Sequence, residues 1–426
     1  MQPQEKFGVD EIALSDPHLW QQPEEVIEGA FVTLRRERPV SFHREVDLPM
    51  VPAGPGYWAI TRYEDIVEVT RDSETFCNRH GYTINDFPPA FAGAFDHMLA
   101  KDGTEHARLR RIVSRAFAPA VLAKLQGSMD DAAREIVDGI VDRGGEFDFV
   151  REVGGWLPVR IICDMLGVPA SQYEFVYEQS SVIMFAADPA YLLGAADLES
   201  SLGRILTATT NLMGMLLELA NERRGSPRDD VLSLLVNADV NGESLTDQEL
   251  AQFVLLVTVA GNETTRSASA LGMEALHRYP EQKKLWRSDL TGYAATAASE
   301  IIRWGTPFIQ LRRTATRDTT VDDQAIAEGD KVVLFFRSGN RDETVFGDPY
   351  SFRVDRPQRP AHLAFGAPGP HYCLGAHLAR TEIETIFVEL LRRVPDIDVV
   401  GDIPHTQGNF MHGIPTLTCR ATPVGH

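Results

Sequence analysis

The residue with most chemistry to offer in this 426-residue chain is Cys373. It lies in "GPHYCLGAHLAR", residues 369 to 380, where helical spacing begins with Leu378, Ile386, Phe387, Leu390 and Leu391. A cysteine at a helix N-terminus meets unpaired amides and the positive end of the helix dipole. Both favour the thiolate, so the spacing predicts a lowered thiol pKa. Such a thiolate has two uses. With His371 or His377 as a base it is a nucleophile, as in a cysteine hydrolase. Alone in a loop where Gly366, Gly369 and Gly375 let backbone approach a planar group, it is a metal ligand. No second cysteine stands near enough to close a zinc site. A single thiolate suits a haem iron, whose porphyrin supplies the four equatorial nitrogens.

Two further groupings carry chemistry. "AGNETTR", residues 260 to 266, sets Glu263, Thr264 and Thr265 into an otherwise apolar helical run. A buried carboxylate is costly unless partnered. Gly261 costs roughly 1 kcal/mol against alanine in a helix. Together they predict a helix locally opened against a cavity. "HARLRR", residues 106 to 111, puts His106 and Arg110 on one helical face, suited to a dianionic cofactor. Arg108, Arg111 and Arg115 project on the other side.

The elements that must hold these residues are mostly helical. The central one starts at the capping box "TDQE", where Thr246 and Glu249 satisfy each other's amides, and stops before Pro280. Its ~33 residues span about 50 Å, enough to cross the protein. "GYWAI" (56 to 60) and "DKVVLFF" (330 to 336) read as strands. No repeat or linker divides the chain, which reads as one domain over 1–426. Cys77, Cys163 and Cys419 read as buried fillers. The net charge of −20 argues against broad binding to nucleic acid or anionic membranes. No secretory signal begins the chain, and its longest apolar stretch, about a dozen residues, falls short of the roughly 20 a membrane span needs. The expectation is a cytoplasmic protein.

On these motifs the chain resembles bacterial cytochrome P450 enzymes over nearly its whole length. "FGAPGPHYCLG" resembles their haem-binding loop, "AGNETT" their acid–alcohol motif, "EIIR" (Glu300 to Arg303) their Glu-x-x-Arg pair, "NRDETVFGDPYSFRVDR" their meander and "HARLR" their propionate-binding helix. One departure is that Phe365 stands eight residues before Cys373, one more than usual. The longer loop, "VAGNETTR", "RYPEQ" and "LRRTATRD" are similar to actinobacterial hydroxylases of cholesterol side chains and methyl-branched lipids. The resemblance implies a mainly α fold with small sheets and heme b between the central helix and the cysteine-loop helix. Cys373 would ligate iron, with Gly375 bonding the sulfur. Ala260, Gly261, Phe365 and Gly366 would lie against the haem. His106, Arg110, Arg313 and His371 would hold the propionates. Glu263 and Thr264 would deliver protons to dioxygen, while Glu300, Arg303 and Arg356 would form a structural ion network.

The implied reaction is hydroxylation of an apolar lipid, at the terminal methyl of a branched fatty acid, isoprenoid or sterol side chain. Val257, Phe308, Ile309, Phe410 and Met411 are the expected pocket residues, with Phe87, Phe91 and Phe95 in a lid and Met184 and Phe185 on a later helix. Arg312 or His97 could clamp a polar head. No nucleotide fingerprint is present, so electrons would come from a ferredoxin and its NAD(P)H-dependent reductase, docked on Arg108, Arg111 and Arg115. Other readings are a P450 acting on a different terpenoid or a polyketide, a peroxide-driven oxygenase, a haem or lipid carrier, and the hydrolase.

Overall fold

The capping box forms as read. Thr246 Oγ1 accepts the Glu249 amide at 3.2 Å, and Glu249 Oε2 accepts the Thr246 amide at 2.8 Å. The computed structural model describes residues 1–47, 53–86, 96–185, 198–240 and 242–421. In chain order, the helices that build the site are α1 (Glu24–Glu37), α2 (Gly103–Val113), α3 (Pro119–Arg143), α4 (Trp156–Leu166) and α5 (Tyr173–Phe185). They are followed by α6 (Leu198–Gly225), α7 (Asp247–Arg278), α8 (Ala294–Gly305) and α9 (Ala376–Arg393). The long helix α7 packs on α4, α5, α6, α8 and α9, so it is the axis of the molecule.

The core follows the helical stripes. Ile386, Phe387, Leu390 and Leu391 of α9 are buried in one large cluster with Ile161 and Ile162 of α4 and Leu271 and Met273 of α7. Phe387 is wholly buried and stacks on Trp286 with ring centroids 5.7 Å apart. Truncating such a ring costs about 3–5 kcal/mol.

The expected opening of α7 is not seen. The helix runs unbroken through residues 260 to 266. Thr264 Oγ1 donates to the Ala260 carbonyl at 2.7 Å, four residues back. Gly261 has a different reason to be there. A Cβ at this position would stand 2.9 Å from Ile162 Cδ1, so the glycine admits α4 rather than a kink.

Both expected strands form. The five-stranded sheet contains β1 (Val40–His43), β2 (Tyr57–Ile60), β3 (Phe76–Cys77), β4 (Leu311–Ala315) and β5 (Lys331–Leu334), in spatial order β1-β2-β5-β4-β3. β2 and β5 run parallel with Tyr57 opposite Lys331, and the other pairs are antiparallel. This sheet carries Arg313, on β4, to the site.

A buried charge cluster fastens α8 to the segment that follows the sheet. Arg303 Nε and Nη2 donate to Glu300 at 2.7 and 2.9 Å, and Arg356 Nε donates to Glu300 at 2.9 Å. The Arg353 amide adds a bond at 3.0 Å. Arg303 Nη1 reaches the Asn340 and Pro349 carbonyls, and Arg356 those of Gly347, Asp348 and Ser351. Every charge there has a partner, as burial demands.

Candidate active site

A cavity separates α7 from the loop leading into α9. Val257, Ala260, Gly261, Thr264 and Thr265 form one wall. Phe365, Gly366, His371, Cys373 and Gly375 form the other. The loop is held in shape by its own backbone. The Cys373 amide donates to the Phe365 carbonyl at 2.9 Å and the Tyr372 amide to the Gly369 carbonyl at 3.1 Å. Arg380 of α9 stacks over the Phe365 ring, 4.5 Å from its centroid. Gly369 lies against helix 63–71, where a Cβ would stand 2.3 Å from the Thr70 carbonyl oxygen, so only glycine fits.

Cys373 lines the cavity and is exposed to it. Its thiol pKa is not lowered as the helix N-terminus predicts. Burial pushes it above the ordinary value, against the Gly375 amide that bonds the sulfur and the nearby Arg110 and Arg380 guanidiniums. Desolvation outweighs the amides and charges together. A thiol so placed ionises when a cation takes the proton's position.

Four basic side chains reach the cavity: His106 and Arg110 from α2, Arg313 from β4 and His371 from the loop. The imidazoles of His106 and His371 stack at 4.1 Å. Burial lowers the pKa of His106 to about 4, with the neighbouring cations adding to the effect. Among the described residues, neither arginine makes an ion pair. Arg110 Nη2 donates to the Tyr372 carbonyl at 2.7 Å, and Arg313 Nη1 to the Arg312 carbonyl at 2.9 Å. Burial lowers Arg313 to about 10. His106 Nε2 is buried without a hydrogen-bond partner. A buried and a half-buried guanidinium without an ion pair, with Asp102 near Arg313 but paired to His371 at 3.7 Å, and an orphaned imidazole nitrogen favour an anion here. A planar apolar group carrying two carboxylates, with a metal to meet the thiol, satisfies the whole set, and heme b is such a group.

Glu263 does not reach this wall. It is buried on the α5 side of α7, where it pairs with Arg266, and Ser181 Oγ donates to its Oε1 at 2.7 Å. Burial raises its pKa, with Arg266 and Ser181 opposing. The sequence reading missed a second carboxyl, Glu382 of α9, which lines the cavity. Burial pushes its pKa to about 8, Thr265 opposing, and its Oε1 has no hydrogen-bond partner. Its signal was in the sequence: Leu378, Glu382 and Ile386 are spaced by four, an acid within an apolar stripe.

The expected substrate residues divide. Val257 and Phe308 line the cavity beside Met98, Leu99, Phe253 and Leu256. Phe410 and Met411 stand one layer back. Phe410 meets the Phe308 ring edge-on at 5.3 Å, and Met411 pairs with Phe308 through a backbone bridge. Ile309 points elsewhere, into the cluster formed with Phe31 and Phe335, because neighbouring residues in extended chain alternate faces. Met184 is core. Phe87, Phe91, Phe95 and the Phe185 side chain lie outside the described residues. Arg312 is unavailable as a head-group clamp, since it pairs with Asp86. His97 is bonded to Tyr82 at 3.2 Å, and burial lowers its pKa to about 4.

The basic stripe is not free either. Arg108 pairs with Glu249, Arg111 with Glu243, and Arg115 Nη1 reaches the Asp239 carbonyl at 3.4 Å. The acidic stretch before α7 closes over it.

A thiol facing an apolar helix wall across a cavity, with a basic rim suited to carboxylates, defines a haem-thiolate protein. The chain belongs to the cytochrome P450 family, whose profile matches residues 56–395. It is 40% identical over 417 residues to a methyl-branched lipid omega-hydroxylase of Mycobacterium tuberculosis, covering 97% of this chain and 96% of that one. It is 34% identical to a steroid C26-monooxygenase of Mycolicibacterium smegmatis, covering 89% and 87%. Its fold superposes with a TM-score of 0.89 on a Mycobacterium marinum cytochrome P450 in complex with pseudoionone, at 38% identity and 99% coverage of both chains. The chain is therefore a cytochrome P450 monooxygenase with heme b as cofactor. Among the described residues, no helix is long and apolar enough to cross a membrane.

Proposed function

We propose that this monooxygenase hydroxylates the terminal methyl of a methyl-branched lipid or sterol side chain. The observation that carries this reading is the 40% identity across 97% of the chain to the methyl-branched lipid omega-hydroxylase. The apolar wall of Leu99, Phe253, Leu256, Val257 and Phe308 suits an aliphatic chain.

The haem supplies dioxygen activation. The protein supplies four services. Cys373 ligates the iron, and the Gly375 amide holds charge on the sulfur. His106, Arg110, Arg313 and His371 would hold the two propionates, and Ala260, Gly261, Phe365 and Gly366, which line the same cavity, would pack on the cofactor. Thr264 presents its hydroxyl oxygen to the cavity while its proton rests on the Ala260 carbonyl at 2.7 Å, so the hydroxyl can turn to donate. Glu263, whose pKa burial raises, would take a proton from solvent and, by rotating away from Arg266 and Ser181, pass it to Thr264.

Two electrons come from a ferredoxin and its NAD(P)H-dependent reductase. The docking face includes Arg108, Arg111 and Arg115, and the acidic partner must displace Glu243 and Glu249 to reach them. Glu243→Gln is therefore expected to lower the ferredoxin concentration needed for half-maximal turnover, and reversal of Arg111 and Arg115 to raise it.

The test has two parts. The carbon monoxide difference spectrum of the reduced protein must show the red-shifted Soret band of a thiolate ligand, lost in Cys373→Ser. A panel of branched fatty acids, isoprenoids and sterols is then scored by spin-state shift and by position of the product hydroxyl. Terminal hydroxylation of a branched chain supports the proposal. Turnover confined to ring or mid-chain carbons overturns it.

A further inference from the structure

A second cluster joins the first turn of α1 to the C-terminal segment. Glu24, His405 and His412 bring one ligand-capable atom each to within 4.8 Å of one another. They line a cavity that shares no wall residue with the haem cavity.

The hydrogen bonds around the two imidazoles fix where their lone pairs point. His412 Nδ1 lies 2.5 Å from the Gly305 carbonyl, which can only accept, so Nδ1 carries the hydrogen. His412 Nε2 then faces Glu24 Oε1 at 2.9 Å. In the neutral tautomer this sets a lone pair against a carboxylate oxygen. His405 repeats the arrangement. Its Nε2 lies 3.0 Å from Glu274 Oε1, which takes the hydrogen there. Its Nδ1 is buried, has no hydrogen-bond partner, and lies 3.7 Å from the same Glu24 oxygen. Each imidazole is thus anchored by an acceptor at one nitrogen and turns the other to Glu24, His412 Nε2 within hydrogen-bond distance and His405 Nδ1 without a partner. That is the arrangement in which a metal-ligating histidine donates its outer N–H to a carboxylate or carbonyl.

The surrounding charges leave room for a cation. Arg337 bonds Glu24 at 3.2 Å and Glu28 at 2.7 Å, Arg341 reaches Glu28 at 3.3 Å, and Arg278 pairs with Glu274 at 2.6 Å. Three carboxylates thus face three guanidiniums. Arg337 competes for Glu24 Oε1, the same oxygen that faces both histidines, and a long bond of 3.2 Å to one lone pair leaves the carboxylate others to turn to an ion.

We propose that Glu24, His405 and His412 bind a divalent transition-metal ion, zinc by its ligand class, with the fourth position open to water from the cavity. Two imidazoles and one carboxylate form a borderline-soft tetrahedral set. The ion ties α1 to the segment that carries Phe410 and Met411, and the His412 amide already bonds the Pro307 carbonyl beside Phe308 at 2.8 Å. It therefore braces the layer behind the substrate wall without touching the haem.

The holoenzyme is treated with a chelator and titrated with zinc chloride by calorimetry. The expected result is one equivalent bound per chain and a raised Tm, with the haem spectrum unchanged. His405→Gln and Glu24→Gln should each weaken binding by about 100-fold or more. Absence of a stoichiometric site, or affinity unchanged in both variants, overturns the proposal. If the variants do not fold, the zinc K-edge spectrum of the loaded wild type decides. Two imidazoles in the coordination shell support the site, and fewer overturn it.

Discussion

Two buried charge systems in this protein are built to opposite rules. Around Glu300 every charge is matched: two arginines and a backbone amide saturate one carboxylate, and backbone carbonyls take the remaining guanidinium hydrogens. Around the haem cavity the accounts stay open. Arg110 and Arg313 have no ion-pair partner among the described residues, His106 Nε2 and Glu382 Oε1 have no hydrogen-bond partner, and Glu382 is held above its ordinary pKa by burial. A saturated network has one arrangement and fixes structure. An unsaturated one retains affinity for something else, here an anion or a proton.

Mutation should separate the two systems, in falling order of effect. Arg303→Met leaves Glu300 buried with its best donors gone, at a cost of about 3–5 kcal/mol. The expected outcome is little soluble haem-loaded protein and a collapsed Tm. A variant that melts like wild type would erase the distinction. Glu263→Gln keeps shape and packing but removes a titratable proton. It should lower kcat by roughly 100-fold with substrate affinity intact, read as turnover against spin-state titration. Thr264→Ala deletes a bond that α7 does not need, so stability should move by no more than about 0.5 kcal/mol. Product formed per dioxygen consumed should fall about tenfold, the balance appearing as peroxide or water.

The last effect is spread over a pH range. Glu382 has a folded-state pKa of about 8 against an ordinary value of 4.5. Between those values the folded chain keeps a proton that the unfolded chain releases. Stability must therefore fall as pH rises from 4.5 to 8 and level off above that. Glu382→Gln should flatten that part of the Tm profile. An unchanged slope would mean Glu382 is as well partnered as Glu300.

What could be read from sequence was local. The Thr246–Glu249 box is a contact over three residues, and the cysteine loop is a contiguous string, so both were legible. Gly261 was misread because its reason, Ile162, lies on a different helix some hundred positions away. Arg108 and Arg111 looked free because the residues that close over them, Glu243 and Glu249, are more than 130 positions distant. Ile309 was misassigned by one step in an alternation whose phase only packing sets. Glu382 was visible as an acid in an apolar stripe, yet that signal shows burial and not what the burial faces. The Glu24–His405–His412 cluster joins the two ends of the chain and has no local signature.

The cysteine loop also sets an order of events during synthesis. Its shape depends on Thr70, against which Gly369 lies, and half of the basic rim, His106 and Arg110, is on α2, made long before residue 373 leaves the ribosome. The other half, Arg313 and His371, arrives late, His371 only two residues before the iron ligand. Capture of the metal is a late act, completed only when the last fifth of the polypeptide returns to the first. Cells short of haem should accordingly accumulate chains folded at the front and unfinished at the back.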